Sequence, residues 1–130
     1  MHLLTKSKLL EIGYFRLARL ESLKVDFRAR IGAVLVKRNK VVSIGRNYPK
    51  KTHPMIYRID KFKHIHAEID AIIGTDRRFA DNSVMYTYRE LKDGTLANSK
   101  PCNMCAELLK ELGVKKVYYT HSQGYSEIKL

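Results

Sequence analysis

Long apolar runs are missing from this sequence, and cysteine is scarce. No apolar stretch among its 130 residues approaches the roughly 20 residues that a helix needs to span a bilayer, and residues 1–6 lack the apolar core of a signal peptide. We therefore expect a cytoplasmic protein with no membrane partner. The only cysteines, Cys102 and Cys105, cannot staple a loop-rich secreted fold, so metal or redox chemistry is favoured over a disulfide framework.

Acidic residues are also few. The chain has 13 Asp and Glu against 25 Lys and Arg, which gives a formal net charge of +12. This excess favours a phosphate-bearing partner, from a nucleotide to a nucleic acid, although a well-solvated basic surface would give the same charge. Because no internal repeat, low-complexity tract or linker divides the chain, we expect one domain over residues 1–130.

The apolar pattern predicts alternating helices and strands. Spacings of three and four predict helices over residues 5–24, 66–73 and 102–112. Strands are predicted over residues 31–36, 41–45, 84–88, 116–120 and 125–130. About four residues separate the last two strands, which is too few for a parallel crossover, so the last strand should be antiparallel. The order predicts an α/β fold with three layers, α/β/α, around a mixed five-stranded sheet.

Two segments lack a regular apolar pattern. Residues 46–64 carry six Lys or Arg against the single acid Asp60, with aromatic side chains between the charges. Such a segment is equally typical of a phosphate clamp that stacks bases and of a solvated connection. Residues 89–100 contain the turn signal Asp93-Gly94, and their charge predicts a surface insertion.

The chemistry is indicated by His66-Ala67-Glu68 and by Pro101-Cys102-Asn103-Met104-Cys105. Cys102 and Cys105 lie within one turn of a predicted helix start, where the partial positive charge favours thiolates. One histidine and two cysteines suit zinc, and three protein ligands leave the fourth position open, as in catalytic sites. Glu68 is then available to move protons.

The same residues are compatible with two other uses. A thiol redox pair would explain the two cysteines but gives no role to His66 or Glu68. A structural zinc site needs a fourth protein ligand, for which His53, His64 and His121 are the candidates.

Together the motifs resemble the zinc-dependent cytidine/deoxycytidylate deaminase superfamily, whose signature is H-x-E with P-C-x-x-C. The resemblance covers residues 28–120 and implies a cytidine-deaminase-like fold. It implies a Zn2+ cofactor held by His66, Cys102 and Cys105, with Glu68 as the proton shuttle. In one respect the sequence departs from the family, because Ser99-Lys100 stand where an acidic residue commonly precedes Pro-Cys.

Substrate contacts follow from the same resemblance. Asn47, in a G-x-N segment, would contact the substrate sugar or base, and the backbone N–H of Ala67 would meet the pyrimidine carbonyl. Tyr48, next to Asn47, is our candidate for stacking on the base. Family members often close the pocket with a neighbouring subunit, so a homo-oligomer is also implied.

The implied reaction is hydrolytic deamination of a pyrimidine nucleoside or nucleotide (cytidine, deoxycytidine or dCMP) to the uracil form, with release of ammonia. A first alternative is a polynucleotide deaminase acting on cytosine in single-stranded DNA or RNA, or on adenosine in tRNA, which the positive charge favours. A second is a non-catalytic zinc-bearing nucleic-acid-binding module. The presence of Glu68 counts against that second alternative, because such a module has no use for it.

Overall fold

The computed structural model describes residues 1–26, 29–48 and 65–130. Most of the basic aromatic segment predicted at residues 46–64 therefore lies outside the described residues. The strands are β1 (His2–Leu3), β2 (Ile31–Lys37), β3 (Lys40–Arg46), β4 (Val84–Arg89), β5 (Lys116–His121) and β6 (Gly124–Lys129). The helices within the described ranges are α1 (Lys6–Leu9), α2 (Gly13–Ser22), α3 (Ala67–Ile73), α4 (Arg77–Ala80) and α5 (Asn103–Glu111). Within these ranges no helix is long and apolar enough to cross a membrane.

The strands form one mixed sheet in the order β1-β6-β5-β4-β2-β3. The β4–β5 pair is parallel, with α5 in the crossover, and the other pairs are antiparallel. The predicted antiparallel last strand is confirmed. The predicted number of strands is one too low, because β1 pairs with the start of β6 at the sheet edge. A two-residue strand carries no periodicity that the sequence could reveal.

Strand β2 is buried on both faces and separates two cores. Val34 and Val36 pack with Phe15 of α2 on one face. Ala33 and Leu35 pack with residues of α3 and α5 on the other. Because successive side chains of a strand point to opposite faces, this division places helices on both sides of the sheet. The predicted three-layer arrangement is confirmed.

The N-terminal helical region differs from the prediction of one helix over residues 5–24. It consists of α1, capped by the Thr5 hydroxyl that accepts a hydrogen bond from the Lys8 backbone at 3.3 Å, and α2, which begins at Gly13. Glycine is unfavourable inside a helix, and here it occupies the first position of α2. The short helix α4, capped by Asp76, lies in the connection between α3 and β4.

Helix α3 lies directly on β3 at Gly45. A Cβ atom at this position would clash with the Ala67 carbonyl oxygen and with the Ala71 backbone nitrogen. Only glycine therefore allows this close an approach of helix and strand. The contact fixes the start of α3, and with it His66, above the end of the β2–β3 pair.

Candidate active site

The three predicted metal ligands meet between the N-termini of α3 and α5. His66 is the N-cap of α3 and Cys102 is the N-cap of α5, so each helix begins one residue after the start predicted from the sequence. The Nδ1 atom of His66 lies 3.2 Å from Sγ of Cys105 and 3.9 Å from Sγ of Cys102. Their ligand atoms all lie within 4.8 Å of one another. Two helix starts on one face of the sheet thus bring together residues from distant parts of the chain.

The donor set fits a zinc ion. Tetrahedral zinc with one imidazole nitrogen and two thiolates, at bond lengths of about 2.0–2.3 Å, needs donor atoms about 3.5–3.8 Å apart. The two distances from His66 Nδ1, 3.2 Å and 3.9 Å, bracket this range. The side chains therefore need only small movements to coordinate the ion, and they would supply three of its four ligands.

The two cysteines differ in their proton affinity. Hydrogen bonds from the Cys105 thiol and from His66 lower the pKa of Cys102 to about 4. The backbone N–H of Cys105 also donates to Cys102 Sγ, at 3.5 Å. The hydrogen bond to Cys102, together with burial, raises the pKa of Cys105. Zinc binds cysteine as the thiolate, so its binding must release any proton that Cys105 carries.

Glu68 lies in the first turn of α3 and is 3% exposed. Burial raises the pKa of its carboxyl above the usual range, although hydrogen bonds from its own backbone and from Cys105 act in the opposite direction. A buried carboxyl beside a metal-binding cluster is suited to accept and return protons.

The three predicted substrate-binding residues lie near the start of α3. Ala67 is its first residue and is fully buried. Tyr48 forms an antiparallel bridge with Ile65, and its hydroxyl accepts a hydrogen bond from Arg46 Nε at 3.1 Å.

The Asn47 amide binds the protein's own backbone. Its Oδ1 accepts from the Ile31 N–H at 2.9 Å, and its Nδ2 donates to the Ala29 carbonyl at 2.7 Å. Asn47 therefore holds the entry to β2. Its contact with substrate stays a prediction, as do those of Ala67 and Tyr48.

Ser99 has a structural role that sequence reasoning missed. Its hydroxyl accepts a hydrogen bond from the Thr120 N–H at 2.8 Å and lies 3.0 Å from the hydroxyl of Thr87. It thereby joins β4 to β5 beneath the segment that leads to Cys102. The prediction that residues 89–100 are a surface insertion is wrong at this point, because Ser99, Glu90 and Leu96 are all buried. Their burial depends on tertiary contacts that local charge does not reveal.

Of the three candidates for a fourth protein ligand, only His121 lies among the described residues, and it is not in the cluster. His121 lies at the end of β5, where Nε2 is 3.1 Å from Ser126 Oγ and Nδ1 accepts from the Gln123 N–H at 3.1 Å. It is not part of the metal-binding group found among the described residues. His53 and His64 lie outside the described residues.

Fold and site together agree with a family of zinc-binding deaminases. The family model for the cytidine and deoxycytidylate deaminase zinc-binding region matches residues 12–121, and the chain belongs to this family. It is 33% identical over 121 residues to a probable deoxycytidylate deaminase of Caenorhabditis elegans, a match that covers 85% of this chain but 56% of that protein. The chain thus spans little more than half the length of this relative. It is also 30% identical over 111 residues to an uncharacterized deaminase of Aliivibrio fischeri, covering 81% of this chain and 68% of that one.

Solved structures share the fold. Cytidine deaminase from Burkholderia pseudomallei has a TM-score of 0.63 at 18% identity, with 97% of this chain and 93% of that chain covered. The dCMP deaminase of cyanophage S-TIM5 has a TM-score of 0.59 at 22% identity, with coverage of 88% and 82%. The family's metal is zinc, and the cluster of His66, Cys102 and Cys105 could hold it.

Proposed function

We propose that this chain hydrolytically deaminates a cytosine-containing nucleoside or nucleotide, namely cytidine, deoxycytidine or dCMP, to the uracil form with release of ammonia. The observation that carries the proposal is the buried Glu68 beside the three-ligand cluster of His66, Cys102 and Cys105. Membership of the family supports it. The nematode relative is a probable deoxycytidylate deaminase, and the cyanophage enzyme has been solved in complex with dCMP and dUMP.

In this proposal Nδ1 of His66 and the thiolates of Cys102 and Cys105 hold the zinc. The ion, when bound, lowers the pKa of a water molecule to about 7 and so makes hydroxide available near neutral pH. The positive ends of α3 and α5 favour the thiolates that this binding requires.

Glu68 carries the protons. One water molecule adds across the C4–N3 bond of cytosine, with its hydroxyl on C4 and its proton moved by Glu68 to N3. Glu68 then takes the proton of the new hydroxyl and gives it to the amino group, which leaves as ammonia while C4 becomes a carbonyl. Because the carboxyl is buried, the protons pass directly between Glu68 and the substrate.

The start of α3 would orient the ring. The N–H of Ala67, in the first turn of the helix, has no acceptor within the helix itself and would donate to the pyrimidine carbonyl. Asn47 and Tyr48 follow β3 and would line the side of the pocket that holds the sugar and the base.

A second candidate, deamination of a polynucleotide, is favoured by a basic cleft. Lys37, Arg38, Lys40 and Arg78 surround Phe79, which is 45% exposed, in a cleft of about 430 Å³. Cations around an exposed aromatic ring suit a single strand, whose phosphates they contact and whose bases stack on the ring. The cleft lies at the β2–β3 turn, away from the end of the sheet at which α3 begins.

Ammonia release by the zinc-loaded protein tests the proposal. The substrates are cytidine, deoxycytidine, dCMP, a cytosine-containing single-stranded DNA and tRNA. We expect release from at least one of the first three. Release from DNA or tRNA alone would favour the second candidate, and a zinc-loaded protein that releases no ammonia from any substrate would contradict both.

A further inference from the structure

Arg89 ends β4 at the same end of the sheet as the zinc cluster. It pairs directly with Ile31 of β2, and the backbone N–H of Asn47 donates to the Ile31 carbonyl at 3.3 Å. Arg89, Ile31 and Asn47, the residue after β3, therefore form a row across this end of the sheet. Paired residues of antiparallel strands share a face, and Ile31 packs against the core beneath α3 and α5. The side chain of Arg89 thus lies on the face that carries the cluster.

Contacts with the segment before Cys102 support this placement. Arg89 accepts a hydrogen bond from the Ala97 N–H at 3.0 Å through its carbonyl oxygen. Its Nη1 donates to the Asn98 carbonyl at 3.5 Å. Two residues earlier on the same face, the Thr87 hydroxyl donates to the Ser99 carbonyl at 2.9 Å. Arg89 therefore lies beside the chain that enters α5.

The guanidinium of Arg89 is poorly satisfied. Its Nε is buried without a hydrogen-bond partner, the only side-chain nitrogen or oxygen of this kind in the described part of the chain. None of the ion pairs found there includes Arg89. Arg19 provides a contrast, because its Nε donates to Glu90 at 2.7 Å. A guanidinium is always charged, and a buried donor left unpaired is costly, so an acceptor beyond the described residues is expected.

We propose that Arg89 is a specificity-determining residue that binds the 5′-phosphate of a nucleotide substrate, an inference that rests on the proposed function. The planar guanidinium donates two parallel hydrogen bonds to phosphate oxygens, and no carboxylate among the described residues competes for it. The reacting ring lies at the zinc cluster and meets Ala67. Arg89, on another strand, is available to the part of the substrate that projects away from the ring. The preferred substrate is then a cytidine monophosphate or deoxycytidine monophosphate, and the free nucleosides are poorer substrates.

The affinity for the reaction products dUMP and deoxyuridine tests this inference without requiring turnover. Calorimetry would compare dUMP and deoxyuridine on zinc-loaded wild type, Arg89→Gln and Arg89→Lys. We expect Arg89→Gln to weaken dUMP binding on the order of 30-fold and to leave deoxyuridine binding nearly unchanged, because hydrogen bonds to a charged group are lost. Arg89→Lys keeps the charge but loses the two parallel hydrogen bonds of the guanidinium. Its affinity for dUMP should therefore lie between those of wild type and Arg89→Gln. Arg77→Gln removes an equal charge from an exposed site on α4 and should change neither affinity.

Melting temperature and zinc content establish that each variant is folded and loaded, and Arg89→Lys provides the comparison if Arg89→Gln does not fold. Equal weakening of dUMP and deoxyuridine would overturn the inference, since Arg89 would then support the nucleoside part or the fold. Wild-type protein that binds the two ligands equally would overturn it as well. If dUMP binding depends on Arg89 but no substrate releases ammonia, Arg89 still binds the phosphate and only the proposed reaction fails.

Discussion

The Nδ1 atom of His66 lies 3.2 Å from the Sγ atom of Cys105, although 39 positions separate the two residues in the sequence. Their approach depends on how two helices are seated on the sheet. Gly45 lets α3 lie against β3, and the Ser99 hydroxyl anchors the segment that enters α5. Metal binding at this junction would therefore stabilise the fold and prepare the chemistry at the same time.

Replacement of a single thiol should test the cluster. Cys105→Ser removes a buried donor, so we expect the affinity for zinc to fall by well over tenfold and the melting temperature to become insensitive to a chelator. Metal analysis after dialysis and thermal unfolding with and without EDTA measure both effects. Met104→Ser alters the neighbouring exposed residue of the same helix and should keep wild-type zinc content. Unchanged zinc in Cys105→Ser would contradict the ligand assignment.

The contact of α3 with β3 should not tolerate a methyl group. Gly45→Ala places a Cβ against the backbone of Ala67 and Ala71, which cannot move without shifting the whole helix. We expect a loss of about 1–3 kcal/mol in the free energy of unfolding, together with weaker zinc binding because His66 moves with α3. Urea unfolding measures the first effect. Gly13→Ala, at a position with space for a Cβ, is the control, and equal stability of the two variants would show that α3 is not held this closely.

Glu90 should make stability depend on pH in the acid range. Its carboxylate accepts hydrogen bonds from Arg19 Nε at 2.7 Å, from the Tyr88 hydroxyl at 2.8 Å and from Lys6 Nζ at 3.3 Å. Burial raises the pKa of Glu90, but the hydrogen bonds from Tyr88 and Arg19 outweigh it and hold the pKa below its usual range. The folded protein thus binds this proton more weakly than the unfolded chain. The stabilisation is complete above the unfolded pKa of about 4.3 and is lost as the pH falls through the lower folded value.

Urea unfolding of Glu90→Gln across pH 3–7 measures this dependence. At neutral pH we expect the free energy of unfolding of the variant to be lower by on the order of 2 kcal/mol. This loss is smaller than that for a fully buried ion pair, because Lys6 and Arg19 are both partly exposed. The difference from wild type should shrink as the solution is acidified below pH of about 4. Glu11→Gln, which alters an exposed acid two residues after the end of α1, should follow the wild-type curve. A difference that stays constant over the whole range would exclude titration of Glu90 as its source.

Local sequence patterns predict several elements of the fold. The buried strand at β2 follows from its continuous apolar run and the helix at α5 from its apolar spacing, and the antiparallel β6 follows from the length of one connection. The three candidate ligands could be predicted because zinc restricts both the type and the spacing of the residues that bind it.

The remaining features arise from contacts between distant segments. Strand β1 forms because its backbone pairs with the edge of β6. The strand propensities of His2 and Leu3 do not predict this pairing. In the sequence Glu90 is one charged residue of a polar segment. Its burial is compensated because Arg19 and Lys6, which lie on the two N-terminal helices, form ion pairs with its carboxylate. The register of β2 and β4 places Arg89 on the face that carries the cluster of His66, Cys102 and Cys105, and this register is not evident from the sequence.

Glu68→Gln should separate zinc binding from turnover. The carboxamide has nearly the shape of the carboxyl but cannot carry a proton, and positioned proton transfer is typically worth about 10²–10⁴-fold in rate. We expect ammonia release to fall at least about 100-fold while zinc content stays at the wild-type level, because Glu68 is not part of the ligand cluster. Glu107→Gln, which changes an exposed acid on α5, should keep full activity. Full activity in Glu68→Gln would remove the proton shuttle from the mechanism, and loss of zinc together with activity would mean that Glu68 supports the metal site instead.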